Sequence, residues 1–285
     1  MGPDEKGPAV RRPLNAILPP MKLPAIIYGT AWKKEATTEL VARALAAGYR
    51  AFDTANQKKH YSEDLAGLAI RESGVPRAEL FLQSKYTFPR GQDHRMPYDP
   101  AADVPTQVRS SFASSLKNFG TDYLDSFLLH GPSGSGALVA ADWEVWGELE
   151  ALHRSGQAKA IGVSNVGLRQ LRELEGAKVR PMFVQNRCYA ELGWDRDVRE
   201  HCLANGIVYQ GFSLLTANPE VVGHPATASA ARRLGATPAQ VVFRFAASLG
   251  ILPLTGTTDP LHMKQDLAAL ALEPTAAELD TLRAL

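Results

Sequence analysis

LDSFLLH (124–130) and AIGVSN (160–165) are short, nearly unbroken apolar runs, and both end in polar residues. Runs without polar–apolar alternation predict strands that are buried on both faces, as in a parallel sheet. Six further runs share this pattern: 25–28, 50–53, 80–85, 182–186, 207–213 and 251–255. Eight such strands are the number that a closed (β/α)8 TIM barrel requires.

The stretches between these runs show helical periodicity. They are Thr38–Ala47, Glu63–Glu72, Val104–Phe119, Trp143–Arg154 and Asp195–Asn205. Glycines stand where such helices should end, at Gly48, Gly120, Gly156 and Gly206. Because no linker divides the chain, we expect a single barrel domain over residues 1–285, with 1–20 as an N-terminal extension.

An open, doubly wound sheet is the main alternative fold. It requires a glycine-rich fingerprint after the first strand, and GTAWKK (29–34) lacks one. Gly131–Gly136 is glycine-rich but follows the fourth strand, and no helix begins on its last glycine. We interpret it as a flexible loop rather than a phosphate cradle.

Composition excludes several functional classes. The chain has 285 residues, a net charge of +1 and two cysteines, Cys188 and Cys202, which are not at metal-ligand spacing. This charge gives no general attraction to nucleic acid or to an anionic membrane, and no apolar run reaches membrane-spanning length. The first twenty residues carry charges and prolines, unlike a secretory signal. We expect a soluble, cytoplasmic monomer that binds a small molecule and no metal.

Polar residues end most of the predicted strands. They are Asp53, Lys85, His130, Ser164, Asn165, Gln185 and Ser213. A single such residue commonly makes only local hydrogen bonds. The strand ends of a (β/α)8 barrel converge on one mouth, however, so a set that includes an acid, a lysine and a histidine predicts an active site there.

These residue types suit the addition of hydride to a carbonyl group. Asp53 and Lys85 would form a partly buried ion pair that keeps the ammonium charged. A tyrosine beside that ammonium would ionise more readily and could donate a proton at neutral pH. His130 could orient the substrate oxygen by a hydrogen bond.

Several motifs in order resemble the aldo-keto reductase superfamily over nearly the whole chain. They are GTAW (29–32), FDTA (52–55), Lys85, LDSFLLHGP (124–132), IGVSN (161–165), FVQN (183–186) and GFSLL (211–215). The resemblance implies a (β/α)8 fold, NADP(H) bound across the barrel mouth, and reduction of aldehydes or ketones. It assigns Asp53, Lys85 and His130 to the family's Asp-Tyr-Lys-His tetrad.

The resemblance also implies a cofactor site. Its residues are Thr30, Ala31, Asp53, Ser164, Asn165, Gln185, Phe212, Ser213, Leu215, Thr255, Gly256, Thr257, Thr258, His262 and Asp266. In the family, the residues matching Ser164, Asn165 and Gln185 hold the nicotinamide carboxamide. Phe212 matches an aromatic that stacks on the nicotinamide; tyrosine is usual there, and phenylalanine keeps the stacking face.

The tetrad tyrosine departs from the family pattern. The usual spacing places it at Lys58, so the segment 56–63 has a short insertion. We predict that Tyr61 is the proton donor and that Asn56–Lys59 bulge away from the barrel mouth. The alternative donor is His60, since an imidazole can also release a proton.

The residues expected to contact the 2′-phosphate of NADPH also differ from the family pattern. The family usually holds the 2′-phosphate of NADPH with a lysine and an arginine after the last strand, where this chain has Leu254 and His262. The segment 255–258 could bind phosphate through hydroxyls and backbone N–H groups near a helix N-terminus, and Lys264 could add charge. We therefore favour NADP(H), with NAD(H) as the alternative and weak selectivity between them.

The C-terminal region is expected to be short. TAAEL (275–279) is typical of a capped final helix, so the long loop that covers the substrate pocket in many family members is expected to be missing. The loop 86–104 is long, and the sequence does not identify the substrate. Two other functions stay open: a cofactor-binding regulatory module with little turnover, and an unrelated barrel enzyme such as a phosphate-binding isomerase.

Overall fold

A computed structural model describes residues 22–285, and the expected extension 1–20 lies outside the described residues. Eight parallel strands pair in chain order, and β1 closes the barrel against β8. The strands are β1 Ile27–Gly29, β2 Ala51–Asp53, β3 Phe81–Tyr86, β4 Leu124–Leu129, β5 Ala158–Ser164, β6 Phe183–Arg187, β7 Val208–Phe212 and β8 Ile251–Thr255. The predicted (β/α)8 barrel is confirmed.

Helices surround the barrel and connect its strands. They are α1 Thr37–Ala47, α2 Glu63–Glu72, α3 Val104–Phe119, α4 Ala140–Arg154, α5 Leu168–Glu173, α6 Arg196–Ala204, α7 Pro219–Gly223, α8 Pro225–Leu234, α9 Pro238–Ser248, α10 Pro260–Ala269 and α11 Ala276–Arg283. All the predicted helices are present, although α4 begins at Ala140 rather than Trp143. The sequence analysis did not identify α5 or the helices between β7 and β8. Within residues 22–285, no helix is long and apolar enough to cross a membrane.

Glycines end helices as predicted. Gly120 follows α3 with a φ of 66°, and its N–H donates to the carbonyls of Leu116 and Lys117. This left-handed conformation strains residues that carry a Cβ. Gly48 plays the same part after α1, with a φ of 112°. Both turns direct the chain into the following strand.

The barrel interior changes from apolar to polar along the strands. On β3, the inward positions are Phe81, Gln83 and Lys85, all buried, in the direction of the C-terminal mouth. Side chains alternate along a strand, so every second residue reaches the interior. Ile27, Phe183, Val208 and Leu252 are among the residues that fill the lower interior with Phe81.

A layer of three glutamine amides lies above these apolar residues. Gln83 and Gln210 exchange two hydrogen bonds of 2.8 and 2.9 Å between their amides, and Gln185 donates to Gln210 at 2.8 Å. The layer separates the apolar lower interior from the charged groups at the mouth.

Candidate active site

A buried ion pair lies at the C-terminal ends of β2 and β3. The Nζ of Lys85 donates to both carboxylate oxygens of Asp53 at 2.7 Å and to the carbonyl of Thr54 at 2.8 Å. Lys85 is fully buried and Asp53 is 3% exposed. Burial lowers the pKa of Lys85, and the charge of Asp53 acts against that shift. Three acceptors therefore fix the ammonium in one position, as the sequence predicted.

Amides from the layer below complete the surroundings of Asp53. The Nε2 of Gln83 donates to Asp53 Oδ1 at 2.7 Å, and the Nε2 of Gln185 donates to the same oxygen at 3.0 Å. A buried carboxylate needs such donors in addition to its charged partner. The ion pair is thereby connected to β6, on the opposite side of the barrel.

Tyr61 lies beside this ion pair. The Lys85 Nζ is 5.4 Å from the centre of the Tyr61 ring, which faces the His130 ring edge-on with 5.9 Å between centroids. The backbone N–H of Tyr61 donates to the carbonyl of Gln57 at 3.0 Å, which closes a turn over the inserted residues. An eight-residue offset from Asp53 is thus compatible with a tyrosine at the barrel mouth.

The inserted segment bulges less than predicted. Lys58 and Lys59 are exposed, whereas Asn56 and Gln57 are buried. The Nδ2 of Asn56 donates to the carbonyl of Ser111 at 2.9 Å, and the Nε2 of Gln57 donates to that of Gly91 at 2.7 Å. These bonds hold the first half of the segment against the barrel, so the predicted bulge is confined to the two lysines.

The expected effect of the ammonium on the tyrosine is corrected by the structure. Burial, followed by the negative charge of Asp53, raises the pKa of Tyr61 rather than lowering it. The hydroxyl is therefore fully protonated at neutral pH. A group that keeps its proton until the substrate oxygen becomes basic still suits a proton donor.

His130 is held from two sides at the end of β4. Its Nδ1 lies 2.6 Å from the Oγ1 of Thr87, and its carbonyl accepts from the Nδ2 of Asn165 at 2.7 Å. Burial and then the charge of Lys85 lower the pKa of His130 to about 3, so the imidazole is neutral. If the Thr87 hydroxyl donates to Nδ1, then Nε2 carries the hydrogen and can donate to a substrate oxygen.

His60, the alternative donor, stacks on another aromatic residue. Its ring centre lies 3.8 Å from that of Trp32, and the backbone N–H of Trp32 donates to the His60 carbonyl at 2.7 Å. Burial and the nearby Lys59 lower the pKa of His60. Trp32 adopts a positive φ of 65° and is 66% exposed, so the stacked pair forms one rim of the mouth.

These side chains line one end of a cavity of about 800 Å³ that crosses the barrel mouth. Most of the predicted site residues contribute to its wall: Ala31, Asp53, Tyr61, His130, Ser164, Asn165, Gln185, Phe212, Ser213, Leu215, Thr255, Gly256, Thr257, His262 and Asp266. Three predicted residues do not line it. Lys85 lies behind the cavity wall, and Thr258 also lies outside the lining. Thr30 is fully buried, and its hydroxyl donates a hydrogen bond to the Asp53 carbonyl.

The middle of the cavity carries amide and hydroxyl groups next to an aromatic ring. Ser164 donates to the carbonyl of Gln185 at 2.7 Å, and the Nδ2 of Asn165 lies 3.2 Å from the Ser164 Oγ. Asn165 adopts a positive φ of 52°, which turns its side chain across the strand ends. Phe212 is half-buried beside them. Within residues 22–285 the amide oxygens of Asn165 and Gln185 accept no hydrogen bond, so they could accept from a nicotinamide carboxamide whose ring lies on Phe212.

The far end of the cavity differs from the expected phosphate site. The Asp259 carboxylate accepts from the N–H groups of Leu261 and His262, at the start of α10. The Thr255 hydroxyl donates to Asp266 at 2.6 Å. The helix N-terminus and one threonine are therefore already engaged, and Lys264 is exposed outside the cavity lining.

A lysine that the sequence analysis did not consider lies at this end instead. The Nζ of Lys33 donates to the Gly256 carbonyl at 2.7 Å and lies 4.8 Å from the centre of the Tyr28 ring. Tyr28 in turn donates to the Thr257 carbonyl at 2.8 Å. Burial lowers the pKa of Lys33 to about 8, so it is mostly charged at pH 7. Lys33 thus brings positive charge to the loop after β8 from the loop after β1.

Lys33 lies behind the cavity lining, and several residues of the lining itself were also missed. Arg187 follows Gln185 by two positions on β6, and its guanidinium lies 5.5 Å from the centre of the Phe212 ring. The alternation along that strand could have identified it. Gln57, Thr216 and Gln265 lie on loops or helices, where no such pattern exists. Among residues 22–285, no cluster of His, Cys, Asp or Glu could hold a metal ion.

Comparison with known proteins gives a consistent result. The model of the Aldo/keto reductase family matches residues 25–218. An aldo-keto reductase of Mycolicibacterium vanbaalenii is 30% identical over 262 residues, which cover 91% of this chain and 87% of that protein. The NAD/NADP-dependent indole-3-acetaldehyde reductase of Schizosaccharomyces pombe is 28% identical, over 94% of this chain and 93% of its own.

A solved structure agrees with these sequence matches. MGS-M4, an aldo-keto reductase enzyme from a Medee basin deep-sea metagenome library, superposes with a TM-score of 0.81 at 25% identity, covering 93% of this chain and 92% of its own. The barrel, the buried Asp–Lys pair and the matched motifs therefore have one explanation. The chain belongs to the aldo/keto reductase family, a family of NAD(P)H-dependent oxidoreductases of carbonyl compounds.

Proposed function

We propose that this protein reduces an aldehyde or ketone to the alcohol, with Tyr61 as the proton donor. One observation carries the proposal. Tyr61, His130 and Asp53 line the same end of the 800 Å³ cavity, and Lys85 lies directly behind them, bonded to Asp53. The amides and ring that fit a nicotinamide lie directly beside them. A bound reduced nicotinamide supplies the hydride.

Each residue has a distinct part in this proposal. His130, neutral and fixed by Thr87, donates a hydrogen bond to the carbonyl oxygen and orients it. The Tyr61 hydroxyl gives its proton to the same oxygen as the carbonyl carbon gains the hydride. The Lys85 ammonium, 5.4 Å from the centre of the Tyr61 ring, stabilises the tyrosinate left behind until solvent returns the proton. Asp53 holds Lys85 in place.

NADP(H) is the cofactor that we propose, with NAD(H) as a weaker alternative. Lys33 supports this choice, because a cation at the loop after β8 favours a cofactor with an additional phosphate. The lysine–arginine pair usual in the family is replaced by Leu254 and His262. Selectivity for NADPH is therefore expected to be modest.

The test follows absorbance at the reduced-nicotinamide band while aldehydes are added with each cofactor. Tyr61→Phe keeps the ring and removes the proton, so kcat should fall by about 100-fold or more, as is typical for loss of a general acid. His60→Ala is the matched control and should keep most of the turnover. An active Tyr61→Phe together with an inactive His60→Ala would assign the proton to His60. Cofactor binding without reduction of any aldehyde would favour the regulatory module.

A further inference from the structure

A second cavity, of about 290 Å³, opens beside the active site. Gln57, His130 and Asn165 line both this cavity and the larger one. A carbonyl group held by His130 therefore has two neighbouring spaces. One leads past the residues that fit the nicotinamide, and the other leads toward the loop after β3.

A glycine, Gly131, follows His130 and forms part of the wall of the second cavity. A Cβ built at Gly131 would lie 3.4 Å from the Cβ of Asn165, its nearest neighbour. The other walls are Thr87, Phe88 and Gly91 from the loop after β3, together with Pro132.

The charged residue that lines the second cavity is positive. Arg90 lines it, and none of its described lining residues is an aspartate or glutamate. His130 is neutral there, because burial and Lys85 lower its pKa. The negative charge of Asp53, which lines only the larger cavity, is neutralised by Lys85. An anionic group in the second cavity would thus meet a cation and no repelling carboxylate.

Most N–H groups of the Arg90 guanidinium make no hydrogen bond to residues 22–285. One Nη of this exposed side chain donates to the Pro132 carbonyl at 2.7 Å, at the wall of the cavity. Within residues 22–285, Arg90 forms no other hydrogen bond and no salt bridge. A guanidinium presents several N–H groups in a planar fork that matches the oxygens of a carboxylate or a phosphate.

We propose that the second cavity binds an anionic oxygen group of the substrate, a carboxylate or a phosphate ester, and that Arg90 determines this specificity. The inference rests on the proposed carbonyl reduction, since it places the reacting carbonyl at His130. The anionic group lies between His130 and the loop after β3. Arg90 is thereby a specificity residue that takes no part in the chemistry.

Matched substrate pairs test this proposal. Benzaldehyde is compared with 4-carboxybenzaldehyde, and glyceraldehyde with glyceraldehyde 3-phosphate, on the wild type and on Arg90→Gln. Glutamine keeps a polar amide, of shorter reach than the guanidinium, and has no charge. We expect the wild type to show a lower KM for at least one anionic partner. Arg90→Gln should raise that KM about tenfold with kcat and the neutral substrates unchanged. The responding pair shows whether the group is a carboxylate or a phosphate.

Two further variants make the outcome specific. Arg169→Gln, at an exposed arginine of α5 outside both cavities, should leave every KM unchanged. Arg187→Gln changes the arginine that lines only the larger cavity. If Arg187→Gln removes the preference for the anion and Arg90→Gln does not, the proposal is overturned. Equal losses for neutral and charged substrates in Arg90→Gln would overturn it as well.

The result can be separated from a failure of the proposed function. If neutral aldehydes are reduced without any preference for the charged partner, only the specificity proposal fails. If no aldehyde is reduced, the proposed function fails. The second cavity is then tested by calorimetric titration of the protein with benzoate and with inorganic phosphate. Binding that Arg90→Gln weakens supports the anion site, and equal or absent binding in both proteins refutes it.

Discussion

Replacing Lys85 by methionine removes one half of a fully buried ion pair. The change deletes three hydrogen bonds of 2.7–2.8 Å and leaves the Asp53 carboxylate without its cation in a site that is 3% exposed. Methionine is apolar and similar in length to the stem of the lysine, so packing is largely kept. The variant therefore measures the electrostatic part of the interaction.

The expected loss of stability is large. Removing one partner of a buried pair typically costs about 3–5 kcal/mol, because the remaining charge is buried and uncompensated. The amides of Gln83 and Gln185 still donate to Asp53, which favours the lower end of this range. Asp53→Asn combined with Lys85→Met removes both charges, so the double variant should recover about 2 kcal/mol relative to Lys85→Met alone.

Urea unfolding of the two single variants, the double variant and the wild type provides the measurement. Lys117→Met, at an exposed lysine of α3, is the control and should change stability by less than about 0.5 kcal/mol. Lys85→Met should also lose turnover while keeping cofactor affinity, because Lys85 does not line the cavity. A variant as stable as the wild type, or a double variant with strictly additive losses, would refute a coupled buried pair.

Two further predictions concern titrating groups. The folded pKa of His130, about 3, lies below the unfolded value near 6.5, so the unfolded state binds the extra proton and stability falls as pH drops from about 6.5 toward 3. Between pH 7 and 5 the free energy of unfolding of the wild type, measured in urea, should fall by at most about 2 kcal/mol more than that of His130→Gln. Identical pH profiles for the two proteins would contradict a lowered pKa at His130. Lys33→Met should weaken NADPH binding about tenfold and NADH binding less, measured by quenching of protein fluorescence. This difference should fade above pH 8, where Lys33 loses its proton, and equal losses for both cofactors would place Lys33 away from the additional phosphate.

The barrel could be predicted because its strands carry a strong pattern. Runs such as LDSFLLH have no alternation, and the helices between them have clear periodicity and terminal glycines. Helix α5 was missed because it has only six residues, too few to show a period. Helix α4 begins earlier than predicted because the Asp142 side chain accepts from the Val139 N–H and starts the helix before its apolar stripe.

The active-site end of the cavity could be predicted from strand ends, and the cofactor end could not. Asp53, Lys85 and His130 are placed by the strands themselves, whose C-terminal ends must converge. Lys33 belongs to a loop, and its contact with Gly256 joins residues 223 positions apart. No local pattern encodes such a contact. The bond between Asp259 and the start of α10 was likewise not considered, although an aspartate before a helix commonly caps it.

Neither half of the barrel can complete the glutamine layer by itself. Gln83 comes from β3, whereas its partner Gln210 comes from β7, 127 positions later in the chain. A fragment that ended after β4 would hold the Gln83 amide in an interior without that partner, and unmade hydrogen bonds at a buried amide are costly. Contacts of such separation also slow folding, since a long loop must close first. We therefore expect a growing polypeptide to stay open at the ribosome until β7 has emerged, and the barrel to close late in a single cooperative step.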